Sequence, residues 1–165
     1  GLVVDSRKFA MIISAADQTR FPRFTRYVRH SLPTIANIRA MRRAFRRYAQ
    51  MNRTTLQNAL AWGNQPRLSI VAIASPSGTF INGQFTPNIG SNTIELNEIL
   101  VSAFEAGAPP NLVYAYNADG ERMPRVGVTI LHELVHWGDD QDGVDYPGEE
   151  GELFEQAVYG VNTSG

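Results

Sequence analysis

The chain has 165 residues, 43% of them hydrophobic, no cysteine and a formal net charge of −1. That is enough apolar content for one core and too much for disorder, and no apolar run approaches the roughly 20 residues that cross a bilayer. Without cysteine there is no thiol catalysis, no thiolate metal site and no disulfide, so any metal is held by histidine and carboxylate alone.

The near-neutral total hides two halves. Through Arg67, thirteen Lys and Arg face two acids, a balance of +11; from Leu68 onward, two Arg face fourteen acids, a balance of −12. Such asymmetry raises the question of a polyanionic partner. The start at Gly1 lacks the basic-then-apolar pattern of a signal peptide, so the expectation is a cytosolic protein or a domain excised from an exported one.

Taken in chain order, residues 33–61 read as one or two helices. Pro33 suits a first turn, and Ile35, Ile38, Met41, Phe45 and Tyr48 recur at steps of three and four, with arginines on the remaining face. Gly63, Asn64 and Pro66 break that pattern. Leu68–Ala74 has the branched content of a strand, ended by Ser75-Pro76-Ser77-Gly78; Thr79–Phe85 is a second candidate, with a turn at Asn82-Gly83. Thr93–Asn97 and Leu112–Tyr116 are short strand candidates. A helix over about 125–137 is expected to stop at Gly138, an acidic loop follows over 139–148, and a last helix runs over about 149–159. The order predicts an α+β fold in one domain over 1–165, with an arginine-rich helical part over about 1–67 and a sheet and active-site part over about 68–165.

One stretch specifies a chemistry. His132-Glu133-Leu134-Val135-His136 is an H-E-x-x-H motif. At about 100° per helical residue, histidines four apart sit on one face and reach a single cation, with Glu133 one step round as the base for a metal-held water. Catalytic zinc takes three protein ligands and leaves one position open. Three sources compete for the third ligand. In the last helix Glu155 leads, because a carboxylate between Phe154 and Ala157 on a packed surface needs a partner, and Glu152 on the same face follows; Glu149 and Glu150 read as first-turn acids suiting the helix dipole. Asp142 has the spacing of the extended H-E-x-x-H-x-x-G-x-x-H pattern, but Asp139 stands where that pattern needs Gly, and all four Met precede the motif. A calcium loop starting at Gly138 would use Asp140, Asp142, Gly143 and Glu149 but lacks the first-position acid.

With Ile130–Gly138 and Gly148–Glu155 on the page, the chain resembles the zincin metallopeptidases, of the His-His-Glu (gluzincin-like) type. It resembles in particular the C-terminal metallopeptidase toxin domains of bacterial type VI secretion spikes. The resemblance implies a compact zincin-like α+β domain with a small mixed sheet, an active-site helix and a C-terminal helix. It implies a Zn²⁺-dependent hydrolase of peptide bonds, an effector secreted or delivered into a target cell or its periplasm. A carrier domain of the spike and an immunity protein are the partners it implies, and it supports a downstream Glu as third ligand. On this reading His132, His136 and Glu155 hold zinc and Glu133 is the catalytic base. An extended substrate pairs with a strand edge near Thr93–Asn97, and Tyr146 or Tyr159 is either an oxyanion donor or core filling. His30 reads as structural or surface and Trp137 as core.

The alternative is a nucleic-acid or anionic-surface binding domain. Phe21, Phe24, Tyr27, Phe45 and Tyr48 interleave with the arginines, and the histidines would then hold a structural metal. Because the acidic half can answer the basic half, nucleic acid is not the expected partner.

Overall fold

A computed structural model describes residues 10–86, 92–141 and 149–163. Among these the fold is α+β, as expected, with eight α-helices, a four-stranded mixed sheet and a separate β-hairpin. Strand β1 (Ala10–Ile12) is followed by two short helices, α1 (Ala15–Arg20) and α2 (Pro22–Arg26). Next come a π-helical turn (Tyr27–Ser31) and a 3-10 segment (Leu32–Asn37). The helix pattern over 33–61 resolves into α3 (Arg39–Ala49) and α4 (Arg53–Leu60), parted where Gln50 takes a left-handed conformation with φ 54°. Asn52 caps α4 by accepting from the Thr55 amide at 2.8 Å.

Strand β2 (Asn64–Val71) begins earlier and ends earlier than the sequence suggests. Its Pro66, read as a breaker, lies inside the strand; between Ala10 and Ile12 of β1 the partner register jumps from Asn64 to Arg67, a bulge that takes up the proline. Strands β3 (Gly83–Phe85) and β4 (Thr93–Asn97) complete a sheet ordered β1-β2-β4-β3, in which only β3 is antiparallel to its neighbour. β4 is therefore bonded on both edges. It cannot receive a substrate strand, which corrects the expectation placed on Thr93–Asn97; among the described residues the open edge on that side belongs to β3.

Helix α5 (Glu98–Ala106) went unread in the sequence although its signals are local: the Asn97 side chain accepts from the Ile99 amide, and Gly107 closes it at φ 78°. The 112–116 strand candidate divides into α6 (Pro110–Val113) and β5 (Tyr114–Tyr116), which forms a hairpin with β6 (Arg122–Pro124).

Helix α7 (Arg125–Gln141) runs straight through Gly138. That glycine is a contact point rather than a stop: a Cβ there would stand 2.9 Å from the Ala49 Cβ and the Met51 sulfur, so its absence lets α7 press onto the end of α3. The calcium-loop register falls with this, because its first three positions are helical; Asp142 and Gly143 lie outside the described residues. Helix α8 (Glu150–Tyr159) crosses α3 and α7, with Phe45 and Phe154 in edge contact, centroids 4.7 Å apart.

Candidate metal centre

The length of α7 and its apolar surroundings fix the motif in space. Val126, Val128, Ile130, Leu131, Leu134 and Val135 are buried, so His132 and His136 turn together toward α8 while Glu133 turns toward β3. The Nε2 atoms of the two histidines lie 3.2 Å apart. Each ring is held from behind: Nδ1 of His132 meets Oε2 of Glu155 at 2.6 Å, and Nδ1 of His136 meets Oε1 of Glu150. An ionised carboxylate only accepts, so both Nδ1 atoms carry the hydrogen and both Nε2 atoms of the neutral rings present lone pairs. At 3.2 Å the two nitrogens share one positive charge between them, either a proton or a metal ion. The pair is thus built for a shared positive charge, and a metal ion meets that demand.

Two further carboxylates gather around His136. Oε1 of Glu149 is 3.4 Å from Nε2 of His136, on the face turned to the other histidine. His132, Glu133 and His136 form one group of mutually close ligand atoms, and His136, Glu149 and Glu150 form another. For His132, burial pulls the pKa down; the Glu155 hydrogen bond and the charges of Glu133, Glu155 and Glu149 overcome this, and the net shift is upward. Burial pushes the Glu133 carboxyl up, against the pull of both histidines. Oε2 of Glu133 is buried with no hydrogen-bond partner. Leaving such an atom unpaired costs about 1–3 kcal/mol or more, a cost kept at places where the group has work to do.

Of the third-ligand candidates, Glu155 lies entirely buried on the Nδ1 side of His132, away from His136, and its other oxygen accepts from Thr163: 2.9 Å from the amide and 2.5 Å from the hydroxyl. Glu152 is exposed on α8, and Asp142 lies outside the described residues. Glu149 and Glu150, set aside in the sequence as dipole acids, are the two that reach His136. What brings them there is Gly151: a Cβ at that position would come within 2.4 Å of the His132 ring, so only glycine lets the first turn of α8 lie against the motif. An adjacent Glu pair followed by Gly at a helix start was the available signal. Thr163 carried none.

Glu133 lines two cavities of about 260 Å³ each, one beside Gly83–Phe85 and one beside Thr79–Gly83, so it sits where a groove along β3 crosses α7. Gly83 permits that crossing; a Cβ would stand 2.8 Å from Thr129 Cγ2. Tyr159 is buried against Phe154 and lines neither cavity, which gives it the core role; Tyr146 lies outside the described residues. Trp137 is buried and donates to Asn92 Oδ1 at 3.1 Å; His30 is exposed.

A pair of facing histidines beside an unpartnered glutamate, at an open sheet edge, is a candidate metal-binding site. Residues 17–160 match the family described as Metallopeptidase toxin 3, and the chain belongs to that family. The membership makes it a peptidase-type toxin domain, implies a metal ion and a protein substrate, and bears out the resemblance to metallopeptidase toxins; the His132, Glu133 and His136 group is the candidate place for that ion. Neither a curated protein nor a solved structure matches the chain. No helix among the described residues is long and apolar enough to cross a membrane.

Proposed function

We propose that this domain is a zinc-dependent peptidase, a secreted antibacterial effector whose ligands are His132, His136 and Glu149. The facing Nε2 atoms carry the reading. A zinc ion would be held by these two nitrogens, since tetrahedral bonds of roughly 2.0–2.1 Å would set them about 3.3 Å apart, close to the 3.2 Å separation. Nitrogen and carboxylate oxygen without thiolate is a donor set zinc accepts in hydrolases. Glu149 takes the place first given to Glu155 because its carboxylate stands on the Nε2 side and is half exposed, free to turn. Glu155 and Glu150 then orient the two rings and keep their Nδ1 hydrogens in place.

Zinc bound there supplies Lewis acidity toward a carbonyl and brings the pKa of its water toward about 7. The chain's own residues do the rest. Glu133 Oε2 accepts the proton of the attacking water and returns it to the leaving amine nitrogen; burial, which raises the carboxyl, readies it for both steps. The outer edge of β3 offers main-chain groups of Gly83–Phe85 to an extended peptide, laying its carbonyl across Glu133. Delivery by a type VI secretion spike, a carrier domain and an immunity protein remain part of this proposal on the strength of the toxin family.

The test is Glu133→Gln. It is expected to retain bound metal and fold while hydrolysis of a peptide substrate falls by about 10²–10⁴-fold, the span of a general base. Full activity in that variant sinks the mechanism.

A further inference from the structure

Arg39, Arg42, Arg43, Arg46 and Arg53 surround a cavity of about 230 Å³ whose one other lining residue among those described is Met51. Four of them lie on one face of α3 at steps of three and four residues, and Arg53 opens α4. The opposite face of α3, with Phe45, packs on α8, and neither His132 nor His136 lines the cavity. Among the described residues none of the five pairs with a carboxylate. Among the described residues Arg42 alone of the five has polar partners, the carbonyls of Asn37 at 2.9 Å and Ala36 at 3.4 Å.

Two features of the arrangement are unfavourable in the empty chain. Like charges gathered round one hollow repel. Arg39 and Arg53 also stand in the first turns of α3 and α4, which hold no acid; a cation there opposes the helix dipole, and Ile38 gives the α3 amides no side-chain cap. Both turn favourable when an anion occupies the cavity. Among the described residues the acidic half pairs with none of these five charges, although it does pair with Arg20 through Glu98.

We propose that this cavity binds a compact polyphosphate, a small molecule bearing two or three adjacent phosphate groups. Guanidinium forks match phosphate oxygens two at a time. Two or three linked phosphates bring about three to five negative charges, close to the five positive ones around this cavity. Arg39 to Arg46 span only about 10 Å of helix, suited to a compact ligand rather than to a nucleic-acid strand, which needs an extended track.

The probe is sodium triphosphate, titrated calorimetrically into the metal-loaded chain, with sulfate as the comparison oxyanion. Triphosphate is expected to bind one per chain and at least about tenfold more tightly than sulfate, weakening as salt rises. The double variant Arg43→Gln/Arg46→Gln, both exposed positions, is expected to lose about 100-fold or more in affinity, as two charge-assisted contacts warrant. Arg39→Gln, on a different turn, reads the same cavity independently. Triphosphate draws on the metal equally in parent and variants, so the difference between them reports on the arginines. Equal binding of triphosphate and sulfate, or unchanged affinity in both variants, overturns the proposal. So does tighter binding of single-stranded DNA or of polyglutamate than of triphosphate, which would make the surface a nucleic-acid or an acidic-protein site.

Discussion

His132 and His136 share a helix face and the same device, a carboxylate of α8 on Nδ1, yet the two supports are built differently. Glu155, behind His132, is wholly buried and uses both oxygens, one on the ring and one on the amide and hydroxyl of Thr163. The Thr163 carbonyl in turn accepts from Arg125 Nη1 at 2.9 Å, so the segment after α8 is tied to the start of α7. Glu150, behind His136, lies at the first turn of α8, its side chain 14% exposed, and meets the ring with one oxygen. One imidazole is thus set by the core and the other at the mouth of the groove, next to Glu149. A site divided this way keeps one ligand fixed and leaves the substrate side adjustable.

The sharpest way to break the comparison is to remove the donor both halves would share. Glu149→Gln is expected to weaken metal binding by more than about 100-fold, beyond the 10–100-fold usual for residues that only orient a ligating histidine. Equilibrium dialysis of zinc against the folded variant checks it; undiminished affinity returns the third-ligand role to another carboxylate. Next come the two supports compared directly. Glutamine has one accepting oxygen, and Glu155 needs two, so Glu155→Gln strands either the His132 Nδ1–H or the Thr163 donors in the core. Its expected loss in zinc affinity is about 100-fold. Glu150→Gln can keep its single bond through the amide oxygen, and about 10-fold is expected. Equal losses in the two variants would show that burial of the support does not matter.

Much of this division was beyond the sequence. The H-E-x-x-H register, the helix that carries it, the last helix and the α+β class all follow from local spacing, because histidines four apart and apolar steps of three and four have one helical interpretation. Which carboxylate faces which ring nitrogen depends on how α8 crosses α7, and that crossing is set by Gly151 against His132, a contact 19 residues apart in sequence. The sequence offers Glu155 as the third ligand because an acid on a packed surface needs a partner; in the structure its partners are Nδ1 of His132 and Thr163. The dipole explanation of Glu149 and Glu150 was sufficient locally and so concealed them. Likewise β4 reads as a good strand, and only the sheet order, settled by long-range pairing, reveals that the free edge is β3.

Thr163→Val gives the smallest effect and isolates the anchor from the ring it serves. The substitution removes the hydroxyl donor to Glu155 Oε1 and leaves the backbone donor at 2.9 Å in place, while the side chain keeps its shape. One hydrogen bond to a charged group is worth about 1.5–3 kcal/mol, and the surviving amide contact offsets part of the loss, so the low end applies. For a chain of this size about 1.5 kcal/mol lowers the melting midpoint by roughly 3–6 °C. Because Glu155 still holds Nδ1 of His132, zinc affinity is expected to fall only a few-fold, well short of Glu155→Gln. A calorimetric scan and a zinc titration on the same sample separate the two quantities. If affinity falls as far as in Glu155→Gln, the hydroxyl sets the ring as much as the carboxylate does; if neither quantity moves, the buried support of His132 draws its rigidity from packing around Phe154, and the contrast between the two halves lies in burial alone.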